Sequence, residues 1–141
     1  MSTRTPETLA TLQTLYAAFG RGDVDTVMGL LGPEIEWDTE QVGAAAELPW
    51  LRPRRGLEEV RGFFGDLAAH LDLQRFEPRG MFVAPDGAAV AVFHMEGVVR
   101  RTGRRVVDTA DTHYWQFDAD GRVVKMRHIV DTWQHVRAWQ G

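Results

Sequence analysis

Cysteine is missing from all 141 residues of this sequence. Its absence excludes disulfide bonds, thiolate nucleophiles and zinc sites with cysteine ligands. Long apolar runs are also missing, since no stretch approaches the roughly 18 apolar residues that a membrane-spanning helix needs. The first residues contain no continuous apolar segment of the kind that starts a secretion signal. We therefore expect a cytoplasmic protein without a membrane segment.

An excess of positive charge is lacking as well. Sixteen Lys and Arg residues stand against 20 Asp and Glu residues, giving a formal net charge of -4, which argues against a nucleic-acid-binding protein. Arginines cluster at 52–55 and 100–105, but beside Pro or Gly, where solvated turns are the simpler interpretation. The length and the absence of an internal repeat or linker predict one domain, residues 1–141.

The periodicity of apolar residues changes along the chain. Apolar residues recur every three or four positions in 6–19, 24–31 and 56–71, which predicts three helices. The segment 34–38 alternates like a short strand, and alternation returns from Leu73 onward, with turn signals at 85–87, 102–103 and 120–121. We predict an α+β fold, in which three N-terminal helices pack on a curved, mostly antiparallel sheet.

The last turn predicts which side chains share a face. If Asp120 and Gly121 form a two-residue hairpin turn, His113 lies opposite His128. Neighbouring pairs then place Asp111 opposite Val130, Trp115 opposite Met126 and Phe117 opposite Val124. This apolar face carries a few ionisable groups, whose pKa values burial and neighbours readily shift. His128, His113 and Asp111 are therefore candidate catalytic residues.

The preceding turn extends this face to a third strand. If Thr102 and Gly103 form its centre, Asp111 lies opposite His94 and Thr109 opposite Glu96. Glu96 is then a further catalytic candidate, and His94 a candidate substrate contact. A one-residue slip in either hairpin would invert its strand, and Phe93 and Met95, on the other parity, are the more apolar residues.

Other candidates for contact with a substrate are aromatic and apolar. Each of them has packing in the core as its simpler interpretation. They are Tyr16, Phe19, Trp37, Trp50, Trp115, Met126 and Val130.

The opposite face of the last strands carries Tyr114 and Ile129 among long polar side chains. No predicted helix remains to cover it, although antiparallel sheets can also face water. We expect a homodimer that forms through this outer face.

The order and spacing of several segments resemble SnoaL-like and ketosteroid-isomerase-like proteins across essentially the whole chain. These segments are LYAAFGRGDVDTVMGLL, IEW, LPWLRPRRGLEEVRGFF, TGR, HYWQFDADGRVVKMR and VDT. The resemblance implies the cone-shaped fold of the nuclear-transport-factor-like proteins. It does not determine the reaction, because the fold hosts isomerases, cyclases, epoxide hydrolases, dehydratases and binding proteins.

The resemblance also suggests roles for individual residues. His113 falls where ketosteroid isomerases place an oxyanion-hole aspartic acid, and His128 where SnoaL-like cyclases and limonene-epoxide hydrolases place a catalytic aspartate. Thr39, with Asp38 beside it, falls near the isomerase's general base, whereas Leu15 takes the position of the isomerase tyrosine. Only His94 and Glu96 lie near the positions that complete the epoxide-hydrolase triad. These differences argue against both of those specific activities.

Three functions are compatible with these observations. The first is cofactor-independent acid/base chemistry on an apolar polyketide-like or terpenoid substrate, of the isomerase, cyclase or epoxide-hydrolase type. His128 is then the base, His113 a hydrogen-bond donor, and Asp111 or Glu96 the partner that orients a histidine. The second is a non-catalytic dimer that binds an apolar ligand or fills its cavity. The third is a metal site formed by His94, His113 and His128 with a carboxylate, for which the sequence has no compact ligand motif.

Overall fold

A computed structural model of the protein describes residues 5–141. The described elements, in chain order, are α1 (Thr5–Gly20), α2 (Val24–Gly29), β1 (Leu31–Trp37), a 3-10 helix (Gly43–Glu47), β2 (Arg54–Arg55), α3 (Gly56–His70), β3 (Leu71–Val83), β4 (Ala89–Val99), β5 (Arg105–Phe117), β6 (Val123–Ile129) and α4 (Thr132–Gln140). None of these helices is long and apolar enough to cross a membrane.

The six strands form one open sheet in the order β2-β1-β6-β5-β4-β3. The pairing of β1 with β6 is parallel, and the other neighbours are antiparallel. The four helices pack on this sheet, and the core between them includes Trp37, Trp115 and Met126. The predicted α+β fold with three N-terminal helices on a mostly antiparallel sheet is therefore confirmed.

The chain between α2 and α3 differs in detail from the prediction. Helix α2 ends at Gly29, and β1 begins at Leu31 rather than at Glu34. The strand includes Pro33, which it accommodates within the irregular stretch of its pairing with β6 between Leu31 and Glu36. The 3-10 helix and β2 lie in a segment predicted as loop. At the other end, the Asp131 side chain accepts a hydrogen bond from the Gln134 amide and caps α4.

The pairing of β5 with β6 places His113 opposite His128 and Trp115 opposite Met126, as predicted. The turn itself is longer than expected, because the Asp118 amide donates to the Arg122 carbonyl and three residues lie between them. A register shift after Gln116 compensates for the extra residue. As a result, Phe117 pairs with Val123 rather than Val124, while the pairs around His113 keep the predicted register.

The predicted pairing of β4 with β5 is wrong. The Val99 amide donates to the Arg104 carbonyl, and a further register shift occurs where Thr109 and Ala110 bulge, so that Phe93 lies opposite Asp111. Burying an apolar side chain of this size stabilises the fold by about 1.5–3 kcal/mol, whereas an unpaired buried charge is costly. Phe93 and Met95 are accordingly buried. Because neighbouring residues of a strand face opposite sides, His94 and Glu96 lie on the outer face.

Candidate functional site

A cavity lies between α1, α3 and the inner face of the sheet. Its volume is about 70 Å³. One buried water needs at least about 10–15 Å³ of such space, so the cavity has room for a small ring. The predicted residues that line it are Tyr16, Phe19, Trp37, Trp50, Asp111, His113, Trp115, Met126, His128 and Val130. Thus ten of the twelve candidates meet at one cavity.

The imidazole of His128 is held by Asp38, a residue that was not among the predicted site residues. Nδ1 of His128 lies 2.6 Å from Oδ2 of Asp38. The other carboxylate oxygen, Oδ1, accepts the backbone N–H of His128 at 2.7 Å. Because Asp38 accepts at Nδ1, the neutral His128 ring carries its proton there and Nε2 is left as the basic nitrogen.

The backbone of Asp38 explains why strand periodicity did not indicate this residue. Alternation along β1 turns Trp37 inward and would turn Asp38 outward. Instead Asp38 adopts a left-handed conformation, with φ of 58°, which is uncommon for residues other than glycine. Its carboxylate is completely buried, and Gln41 contacts both Oδ1 of Asp38 and the carbonyl of His128. Two signals were available: Asp38 is a polar residue that follows a buried strand, and the resemblance places it beside Thr39, near the isomerase's general base.

The second imidazole, His113, belongs to a hydrogen-bonded chain. The indole N–H of Trp115 donates to the Tyr16 hydroxyl at 3.0 Å, and that hydroxyl lies 2.6 Å from Nδ1 of His113. Burial raises the pKa of Tyr16 well above its ordinary value, so the phenol keeps its proton. Since the indole cannot accept it, the phenol donates to Nδ1, and the proton of the neutral His113 ring is on Nε2.

Asp111 lies beside His113 and is nearly fully buried. Its Oδ1 is 3.5 Å from Nε2 of His113, too far for a normal hydrogen bond, and no other described group bonds to that oxygen. Burial raises the pKa of Asp111, but the imidazoles of His113 and His128 outweigh that effect, and the net change is a lowered pKa. The cavity therefore contains a carboxylate oxygen that can still accept a hydrogen bond.

The two imidazoles face each other with ring centroids 4.7 Å apart and planes at 83°. Burial lowers the pKa of His113 more than the Asp111 carboxylate raises it. Burial also lowers the pKa of His128, but the charge and hydrogen bond of Asp38 raise that pKa by more, so the net change is a raised pKa. Neighbouring groups with pKa values shifted apart are typical of an acid/base pair.

His94 and Glu96 do not line the cavity, which corrects the prediction for both. They lie on the outer face, where Nε2 of His94 is 2.8 Å from Oε2 of Glu96. Arg75 and Arg105 also bind this carboxylate and, together with His94, lower the pKa of Glu96 to about 2. The physical cause is the bulge on β5, which turns β4 over relative to the predicted face.

A third imidazole, His135 on α4, lines the cavity and was not predicted. The indole N–H of Trp50 donates to Nδ1 of His135 at 3.0 Å. Nε2 lies 3.5 Å from Oδ2 of Asp108 and has no hydrogen-bond partner among the described residues. A lone histidine in a short C-terminal helix gives no signal of this position.

The three histidines of the metal hypothesis do not meet, because His94 is on the other face of the sheet. Within residues 5–141, no group of three or more His, Cys, Asp or Glu side chains is placed to hold a metal ion.

Comparisons with known proteins agree with this architecture. A family model of the SnoaL-like domain matches residues 12–126, and no curated protein matches the chain. An NTF2-like protein of unknown function from Burkholderia pseudomallei is 22% identical, with a TM-score of 0.80 over 100% of both chains. An NTF2-like protein from Burkholderia thailandensis is 27% identical, with a TM-score of 0.78 over 95% of this chain and 98% of that chain. TerC, co-crystallised with polyporic acid, is 19% identical, with a TM-score of 0.77 over 95% and 98%.

Proposed function

Because this chain belongs to the SnoaL-like domain family and its cavity is lined by two imidazoles, each beside a buried carboxylate, we propose that it is a cofactor-independent acid/base enzyme. Its substrate is an apolar small molecule with a carbonyl group, of the polyketide or terpenoid kind. The reaction is an isomerisation, a cyclisation or another step that begins with removal of a proton from carbon. The observation that carries this proposal is the contact between His128 and Asp38.

His128 is the base in this mechanism. Asp38 accepts the Nδ1 proton at 2.6 Å, so the free Nε2 takes a proton from the carbon next to the carbonyl. The C–H electron pair becomes the C=C bond of an enolate, and negative charge develops on the carbonyl oxygen. The buried carboxylate stabilises the imidazolium that forms. General acid/base catalysis of this kind typically contributes a rate gain on the order of 10²–10⁴.

His113 stabilises the negative charge that develops on the carbonyl oxygen. Tyr16 donates to Nδ1, so the N–H on Nε2 points away from that contact and can donate to the enolate oxygen. Its present neighbour, Asp111, is 3.5 Å away and competes only weakly for the proton. His128, protonated in the first step, then returns the proton to another carbon for isomerisation or to an oxygen after ring closure.

Exchange of deuterium into cyclic ketones tests the proposal without knowledge of the product. The protein is incubated in D2O with one-ring and two-ring ketones, and NMR follows loss of the protons next to the carbonyl. We expect exchange that His128→Gln abolishes and His113→Asn weakens less. His94→Gln is the matched control, because it removes an imidazole from the outer face of the same sheet and should leave exchange unchanged.

The pH dependence adds a second criterion. The neutral form of His128 is the base, so kcat/KM should rise with pH through a pKa above the ordinary histidine value of about 6.5 and then level off. Ligand binding without any exchange by the parent protein would favour the non-catalytic alternative.

A further inference from the structure

A second hollow adjoins the catalytic cavity. It is a groove between the end of α1 and strand β3, with a volume of about 490 Å³. The groove and the cavity share four wall residues, Tyr16, Phe19, Leu73 and Phe76. The outer space therefore adjoins the cavity along side chains that line both.

Small residues and an irregular strand create the groove. Ala17 and Gly20 are exposed on the same side of α1 and line it, and a Cβ atom added to Gly20 would meet nothing within 4 Å. On the other side, the pairing of β3 with β4 shifts register at Gln74 and again at Arg79. Such bulges bend a strand, and these two flank Phe76.

The shared wall is aromatic. Phe76 stacks on Phe93 with ring centroids 4.1 Å apart, and its ring meets Phe19 at 5.7 Å in an edge-on contact. The Tyr16 hydroxyl is turned inward to His113, so only carbon atoms of that ring remain for the groove. A ligand that passes along this wall meets an apolar surface.

The polar side chains at the groove are already engaged. Arg75 contacts Glu77 and Glu96 at 2.9 and 2.8 Å, so its charge is compensated and does not call for an anionic ligand group. In the inner cavity, by contrast, Oδ1 of Asp111 is buried without a hydrogen-bond partner. A ligand that suits both spaces has a hydrogen-bond donor at its inner end and an apolar outer part.

From this arrangement we propose that the substrate is bipartite. A small ring with a hydroxyl or enol group occupies the inner cavity and donates to Asp111, while an apolar tail lies in the groove between α1 and β3. The inference rests on the proposed function in that it names the substrate class of the same site. A substrate of one ring alone leaves the groove empty and loses the free energy of burying a tail.

Calorimetric titration with 4-alkylphenols, from 4-methylphenol to 4-heptylphenol, tests this arrangement. Each buried methylene should lower Kd of the parent protein by about fourfold. Gly20→Leu fills the groove from α1, and Ala17→Leu does so one turn earlier, so both should flatten the dependence on chain length while 4-methylphenol still binds. Gly65→Leu is the matched control, since Gly65 is exposed on α3, its Cβ would meet open space, and the full dependence should remain.

Asp111→Asn distinguishes the contribution of the inner hydroxyl group to binding from that of the apolar tail. It should raise Kd for every phenol by a similar factor, on the order of 10- to 100-fold for a hydrogen bond to a charged group, without changing the dependence on chain length. A parent protein whose Kd does not depend on chain length, or a dependence that persists in both groove variants, overturns the bipartite site. Binding is read without turnover, so these outcomes are independent of whether ketones exchange deuterium.

Discussion

Asp38→Asn should lower the pKa of His128 and reverse its tautomer. The carboxylate now accepts both the backbone N–H and the Nδ1 proton of His128. An asparagine can keep the first contact through its carbonyl oxygen, but its amide nitrogen can only donate to Nδ1. The ring proton then moves to Nε2, the nitrogen that must act as the base. We expect the rate of deuterium exchange to fall by a factor on the order of 10²–10⁴.

The same change has a pH-dependent effect on stability. The pKa of His128 is raised in the folded protein above an unfolded value of about 6.5. Its stabilising contribution is therefore fully present below pH 6.5 and is lost as the pH rises through the folded pKa. Hydrogen bonds to charged groups contribute about 1.5–3 kcal/mol, so the variant should lose about that much unfolding free energy at pH 6 and less at pH 9.

Two measurements check this reasoning without a substrate. NMR titration of the His128 ring proton gives its pKa, and urea unfolding at pH 6 and pH 9 gives the stabilities. Asp111→Asn is the control, because it makes the same replacement in the same cavity beside the other imidazole and should lower the pKa of His128 much less. An unchanged His128 pKa in Asp38→Asn, or an equal loss of stability at both pH values, would refute the assigned ion pair.

Two further predictions concern the rest of the molecule. Tyr16→Phe leaves the indole N–H of Trp115 and Nδ1 of His113 without their partner and should cost about 1–3 kcal/mol of unfolding free energy. Tyr114→Phe, on the outer face, should change that free energy by less than about 0.5 kcal/mol. Urea unfolding compares the two variants, and equal losses would contradict the buried network. We also expect a homodimer through the outer face that carries Tyr114 and Ile129, of which Ile129 is half exposed, and a monomer mass by light scattering at micromolar concentration would count against it.

The fold and the main pair of histidines were predictable because local signals agreed. Residues 111–115 alternate in phase with 126–130, and a turn signal lies between them. The turn is not the predicted two-residue type, yet the register shift after Gln116 offsets the difference. The prediction of the pair was therefore correct although its stated cause was only partly so.

Bulges and unusual backbone conformations account for the residues that could not be predicted. Thr109 and Ala110 bulge without any glycine or proline to mark the site, so Glu96 was assigned to the wrong face. The alternation of Phe93 and Met95 was the better guide, because apolar burial decides the face of a strand. Asp38 reaches His128 only through its left-handed backbone, a conformation that alternation cannot reveal.

The parallel pairing of β1 with β6 also has a consequence for folding. Asp38 and His128 are 90 residues apart in the chain, and their contact forms only when the first strand docks beside the last. Distant contacts of this kind carry a loop-closure cost and typically form slowly. No single helix or hairpin of the described chain contains both members of the pair. The basic nitrogen is thus oriented only in a chain that has completed its sheet.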